Sequence, residues 1–112
     1  MLFRSHAATR RYDWIEPSTF PLGYMNQTEL AEARVIGLEP GDILGLISDG
    51  IYEYEDSAGV QFGQSGVAGI IERESHDSMD ALVRSIMNAT YAHGGPAPQA
   101  DDITIVLVRR RT

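Results

Sequence analysis

At 112 residues, with 43% hydrophobic and 22% charged side chains, the chain has the size and composition of one globular domain and is too short for two. Nine basic residues, all arginine, against sixteen acidic ones give a net charge of −7. That balance excludes nucleic acid and anionic membrane surfaces as favoured partners and leaves divalent cations and basic proteins.

The absence of cysteine excludes disulfides, thiolate zinc sites, iron–sulfur clusters and a cysteine nucleophile. No apolar run reaches the length of a membrane span, and Met1–Arg11 has arginines without an apolar signal core, so a cytoplasmic protein is expected.

In chain order, Leu2–Arg4 and Arg11–Ile15 read as short strands joined as a hairpin across Ala7–Thr9. Phe20-Pro21-Leu22-Gly23 is a loop punctuated by Pro and Gly. Ala33–Leu38 alternates in a way that predicts a strand, and Glu39-Pro40-Gly41-Asp42 is a turn in which Pro presets φ and Gly accepts the conformation that follows. Asp42–Ser48 is the most apolar run and predicts a strand buried on both faces. Asp49-Gly50 ends it, Ile51–Tyr54 continues as a short extended or helical turn, and Asp56-Ser57-Ala58-Gly59 is a second turn.

Gly66–Glu74 carries Val67, Ile70 and Ile71 at helical spacing, with Ser65 as the candidate N-cap. Ser78 caps a stronger helix in which Met79, Leu82, Val83, Ile86 and Met87 form one face, and Gly94-Gly95-Pro96 stops it. Gly94–Ala100 is a Gly/Pro-rich loop. Ile103–Val108 is a β-branched apolar strand expected to insert beside Asp42–Ser48, and Arg109–Arg111 read as a solvated tail. The order of elements is α+β rather than alternating βαβ.

Two carboxylate positions stand out. Asp49 directly follows the most apolar strand, and Asp101-Asp102 opens the last one. If those strands are neighbours, their ends bring hard oxygen donors together, which suits Mg²⁺ or Mn²⁺. Each feature alone has a plain structural meaning as well: Asp-Gly is a common turn, and Asp at a strand start caps a loop. His6, His76 and His93 are isolated and read as surface or capping residues. Ser48 beside Asp49 lacks the partners of a nucleophile. Tyr52, Tyr54 and Phe62 read as packing under the Asp-Gly turn, Trp14 as core or hairpin surface, and the Met79–Met87 stripe as core, with a protein–protein face as the lesser alternative.

Taken together, Gly41-Asp42 with Ser48-Asp49-Gly50-Ile51-Tyr52-Glu53, then Gly59-Val-Gln-Phe62-Gly63, then Asp101-Asp102-Ile103-Thr104-Ile105-Val106, resemble the metal-dependent protein phosphatases of the PPM, type 2C-like family. The likeness is closest to the bacterial sporulation and sigma-factor-regulator phosphatases, whose Pro-Leu-Gly element Pro21-Leu22-Gly23 matches. It runs from about Phe20 to Arg109. The resemblance implies an α+β fold that is part of a β-sandwich flanked by helices, an αββα architecture, with residues 1–112 as a single domain forming its C-terminal half. In the family a preceding half supplies an Asp that bridges two ions and an Asp-Gly near the first ion, and no such segment stands before Phe20.

By position, the resemblance implies that Asp49 and Asp101 ligate Mn²⁺ or Mg²⁺. Gly50, Asp102 and Glu53 are secondary positions: Glu53 matches a recurring acidic place without an assigned role, and Asp102 either hydrogen-bonds nearby backbone or joins the ligands. No catalytic residue beyond metal ligands is implied. The complete family domain holds two ions that activate a water for in-line attack on phosphorus, without a covalent enzyme intermediate.

The activity implied is therefore hydrolysis of serine/threonine phosphoprotein monoesters when the domain is complete, with an anti-sigma-factor antagonist as the kind of substrate. This segment alone is expected to hold one weak partial metal site and to be inactive. Two other readings stand beside it: a non-catalytic interaction or homodimerisation module derived from the phosphatase fold, and an acidic α+β domain that binds a divalent ion for structure alone.

Overall fold

The computed structural model describes residues 1–26 and 32–112. Strands β1 (Leu2–His6), β2 (Arg11–Ile15), β3 (Ile43–Ile47) and β4 (Ile105–Arg109) form one antiparallel sheet in the order β2-β1-β3-β4. Three helices, α1 (Asp49–Tyr52), α2 (Gln64–Arg73) and α3 (Met79–Gly94), lie in sequence between β3 and β4. The expected first hairpin is present, with Phe3 opposite Trp14 and Ser5 opposite Tyr12. β3 and β4 are direct neighbours, pairing Ile47 with Ile105 and Gly45 with Leu107.

Strand alternation sorts the sheet into two unlike faces. Phe3, Ile43 and Ile47 point inward and are fully or almost fully buried, with Ile105 and Leu107 packed at the margin of the same cluster. Val67 and Ile71 of α2, Leu82 and Ile86 of α3, and Ile51 of α1 complete that core. Gly45 lies where the inner face is tightest: a Cβ there would stand 3.1 Å from Leu107 Cδ2 and 3.3 Å from Ile47 Cδ1. Trp14 packs edge-on against Phe3 at 4.9 Å and against Tyr52 at 5.8 Å, so it belongs to the core margin.

The opposite face changes one expectation. Leu46, Val106 and Val108 are 46%, 47% and 48% exposed, so β3 and β4 are buried on one face rather than two. Their continuous apolar runs cannot distinguish a strand covered on both sides from one with an uncovered apolar side. β4 is also the edge of this sheet rather than an interior strand.

The strand expected over Ala33–Leu38 does not form. Both neighbouring places beside β3 are taken, by β1 and β4, and Val35 is 94% exposed. Side chains take the segment's carbonyls instead: Arg110 donates to Leu38 O at 2.6 Å and Arg4 to Gly37 O at 3.4 Å. Arg109 departs from the expected tail as well. It closes β4, and its guanidinium donates to the carbonyls of Ser75 and Asp77 at 2.9 and 2.8 Å.

Helix α2 begins one residue earlier than its expected cap, since Gly63 rather than Ser65 precedes it. α3 follows its signals. Ser78 Oγ accepts from Ala81 N at 3.1 Å, and Gly95 ends the helix at a φ of 54°. The turn before β3 also forms as expected, with Gly41 at a φ of 90° and Asp42 N donating to Glu39 O. Among the described residues no helix is long and apolar enough to cross a membrane.

Candidate functional site

Antiparallel pairing dictates where the carboxylates meet. β3 runs toward Asp49 while β4 runs away from Asp101-Asp102, so both loops leave the same end of the sheet. Asp49 is the first residue of α1 rather than a plain turn, and its carbonyl accepts from Glu53 N at 2.8 Å. That helical turn swings Gly50 inward and leaves Asp49 and Glu53 exposed. Gly50 is buried against the chain entering β4: a Cβ at this position would collide with the carbonyl of Asp102 and lie 3.5 Å from that of Asp101. Any side chain here would drive the two loops apart.

Ser48 joins them. Its amide donates to Thr104 O at 2.9 Å, its Oγ accepts from Thr104 N at 2.9 Å, and the same hydroxyl donates to Asp102 O at 3.4 Å. Beyond it, Asp101 Oδ1 accepts from Asp102 N at 2.7 Å, and Gln99 holds Asp101 O at 2.9 Å. Among the described residues Asp101 makes the side-chain-to-backbone contact, and Asp102 contributes its amide and carbonyl.

Gly50, Glu53, Asp101, Glu55 and Asp56 line a cleft of about 520 Å³ beside this junction. One wall is Tyr54, whose hydroxyl donates to Ala97 O at 3.3 Å and holds the Gly/Pro-rich loop. Asp56 is committed to its turn: it accepts from the amides of Val60 and Ala58, each at 2.9 Å, and the Val60 bond leads in holding its carboxyl below the usual range. Asp49, Glu53, Asp101 and Asp102 enter no ion pair among the described residues. The phenol of Tyr52 is pushed up by burial first and then by the charges of Asp49, Glu53 and Glu16.

Hard oxygen donors with no competing cation suit Mg²⁺ or Mn²⁺ in chemistry, and in number they make part of a coordination shell. Among the described residues no three His, Cys, Asp or Glu side chains cluster closely enough to hold an ion by themselves. Sequence reasoning passed over Ser48, dismissed as a nucleophile, and over Glu55 as a wall of the cleft. Only the pairing of Ser48 with Thr104, 56 positions apart, exposes the first.

The helix-backed antiparallel sheet is that of a PPM-type phosphatase fold, as the family and structural matches show. The chain belongs to the stage II sporulation protein E (SpoIIE) family, whose model matches residues 1–111. It is similar in structure to the SiaA-PP2C domain of Pseudomonas aeruginosa, with a TM-score of 0.61 and 25% sequence identity. That match covers 66% of this chain and 30% of the SiaA chain, so the two share a part of the larger fold. No curated protein matches the chain.

Proposed function

We propose that this chain is part of a metal-dependent serine/threonine phosphatase that hydrolyses phosphoprotein monoesters, with Asp49 and Asp101 among the ligands of its Mn²⁺ or Mg²⁺. The observation that carries the reading is the junction of the two acidic loops at one end of β3 and β4, with Gly50 packed on the Asp102 carbonyl, in a chain of the SpoIIE family. Uncompensated carboxylates would repel a phosphoryl dianion, so the site needs cations before it can accept such a substrate. When bound, the ions would supply Lewis-acid charge to the phosphoryl group and acidify a coordinated water. The protein's part is to hold Asp49 and Asp101, to keep Gly50 free of a side chain, and to shape the cleft between α1 and the 97–101 loop. A cytoplasmic phosphoprotein, of the anti-sigma-factor-antagonist kind, is the substrate this reading favours.

The test is Mn²⁺-dependent phosphate release from a phosphoserine peptide by a polypeptide that joins this chain to the remainder of the domain. Asp49→Asn is expected to lower kcat by at least about 100-fold with the fold intact. A fully active Asp49→Asn would remove Asp49 from the site. The 112-residue chain alone is expected to bind Mn²⁺ weakly and to release little phosphate, because two carboxylates provide a small part of a six-oxygen shell.

A second reading has its own observation. The uncovered apolar face of Leu46, Val106 and Val108 suits a non-catalytic role in which the chain associates through its sheet, including with a second copy of itself.

A further inference from the structure

We infer that Ser48 is a positioning residue whose hydroxyl, set between the Thr104 amide and the Asp102 carbonyl, fixes the spacing of the Asp49 and Asp101 loops. The inference rests on the metal reading of those two carboxylates. β3 and β4 stop pairing as a ladder at Ile47 and Ile105. Past that point the chains must separate so that one can enter α1 and the other the 97–104 loop. The Ser48 amide continues the ladder for one more bond to Thr104 O, and the hydroxyl then replaces what the backbone can no longer supply.

Oγ takes the Thr104 amide as acceptor and gives its own proton toward Asp102 O, so one atom ties down both sides of Ile103. The carbonyl it reaches is the one on which Gly50 is packed. Asp49 follows Ser48 directly, and Asp101 is fastened to Asp102 through its own carboxylate. A single hydroxyl therefore connects the backbones from which both carboxylates project. Alanine keeps the amide bond and loses both hydroxyl bonds. Threonine keeps the hydroxyl and adds a methyl on a half-exposed position.

The test is Mn²⁺ affinity of the folded chain, read by electron paramagnetic resonance of free Mn²⁺ well below the melting temperature, with amide hydrogen exchange at residues 102–104 alongside. Ser48→Ala is expected to raise the Mn²⁺ Kd about tenfold and to speed exchange of the Thr104 amide, the loss of one to two hydrogen bonds. Ser48→Thr is expected to stay within about twofold of the parent on both readouts. A merely structural serine would lower the melting temperature and leave the affinity of the folded protein unchanged, and that result overturns the inference. The Asp49→Asn and Asp101→Asn arms keep the two readings apart. Mn²⁺ binding that ignores both substitutions refutes the metal site, whereas binding that needs both carboxylates and ignores Ser48→Ala refutes the positioning role alone.

Discussion

Asp42 is 3% exposed at the entry to β3, held by two backbone hydrogen bonds and with His6 Nδ1 3.9 Å from its Oδ2. Its Oδ1 accepts from Ala7 N and its Oδ2 from Glu39 N, each at 2.9 Å, which ties the β1–β2 turn to the turn before β3. Burial pushes its pKa up, but the two amide bonds, with smaller contributions from His6 and Arg4, outweigh it and hold the carboxyl below its ordinary value. A carboxyl depressed in the folded state contributes stability above its unfolded value of about 3.9, and that contribution is lost as pH falls through the folded value. Asp42→Asn leaves one of the two amides facing an NH₂ group and is expected to cost about 2 kcal/mol near neutral pH. Urea titrations at pH 7 and pH 3 check both statements: the gap between parent and variant should narrow in acid.

At the scale of elements, the end of α3 decides how the cleft is walled. Gly94 lies under the ring of Tyr54, and a Cβ there would collide with the ring edge, approaching Cδ1 to 2.9 Å. Helix propensity favours Ala over Gly by about 1 kcal/mol, while overpacking a close contact costs about 1–3 kcal/mol. Steric conflict with a buried ring should win, so Gly94→Ala is expected to destabilise the chain in spite of its better propensity. Loss of the Tyr54 bond to Ala97 would then appear as faster amide exchange through residues 95–100. The sequence made α3 legible, because Ser78, the 3.6-residue stripe and Gly94-Gly95-Pro96 all agree. It made β3 and β4 legible as strands and as neighbours. What it left hidden depended on distant partners: whether Val35 or Arg4 would occupy the place beside β3, whether anything covers Leu46, and which amide Ser48 would meet. The Asp49 and Asp101 positions were readable from their places at strand ends, whereas the Gly50–Asp102 contact that brings their loops together follows only from strand pairing.

The whole molecule is a slab of one sheet and one helical layer, 45 × 40 × 20 Å, with a radius of gyration of 15.5 Å. A compact chain of this length would have a radius near about 13 Å, so the slab is spread wide for its mass. Two layers at about 10 Å spacing account for the short dimension, and among the described residues Leu46, Val106 and Val108 on the second face are left about half exposed. Along that face a groove of about 500 Å³ runs between Leu2, Leu46 and the 15–18 and 34–36 segments. If this face drives association, Val106→Lys is expected to shift sedimentation toward the monomer and to raise solubility. Because Val106 projects away from the core, the melting temperature of the monomer should change by little. A parent chain that stays monomeric at high concentration would remove the self-association reading.

The placement of β3 between β1 and β4 has a consequence for biosynthesis. Residues 48–104, carrying all three helices, leave the ribosome between the two strands that form the end of the sheet where the carboxylates gather. During that interval β3 is stitched to β1 on one side and bare on the other, while α2 and α3 already have an apolar surface on which to condense. Translation at about 5–20 residues per second makes the interval several seconds, long on the scale of helix formation. The nascent chain therefore passes through a stage with an open β3 edge, where a chaperone or a neighbouring nascent chain can bind. Until the segment entering β4 arrives, Ser48 has no Thr104 to grip, so the acidic junction forms only after that segment has been made, and a product truncated before Thr104 cannot carry it.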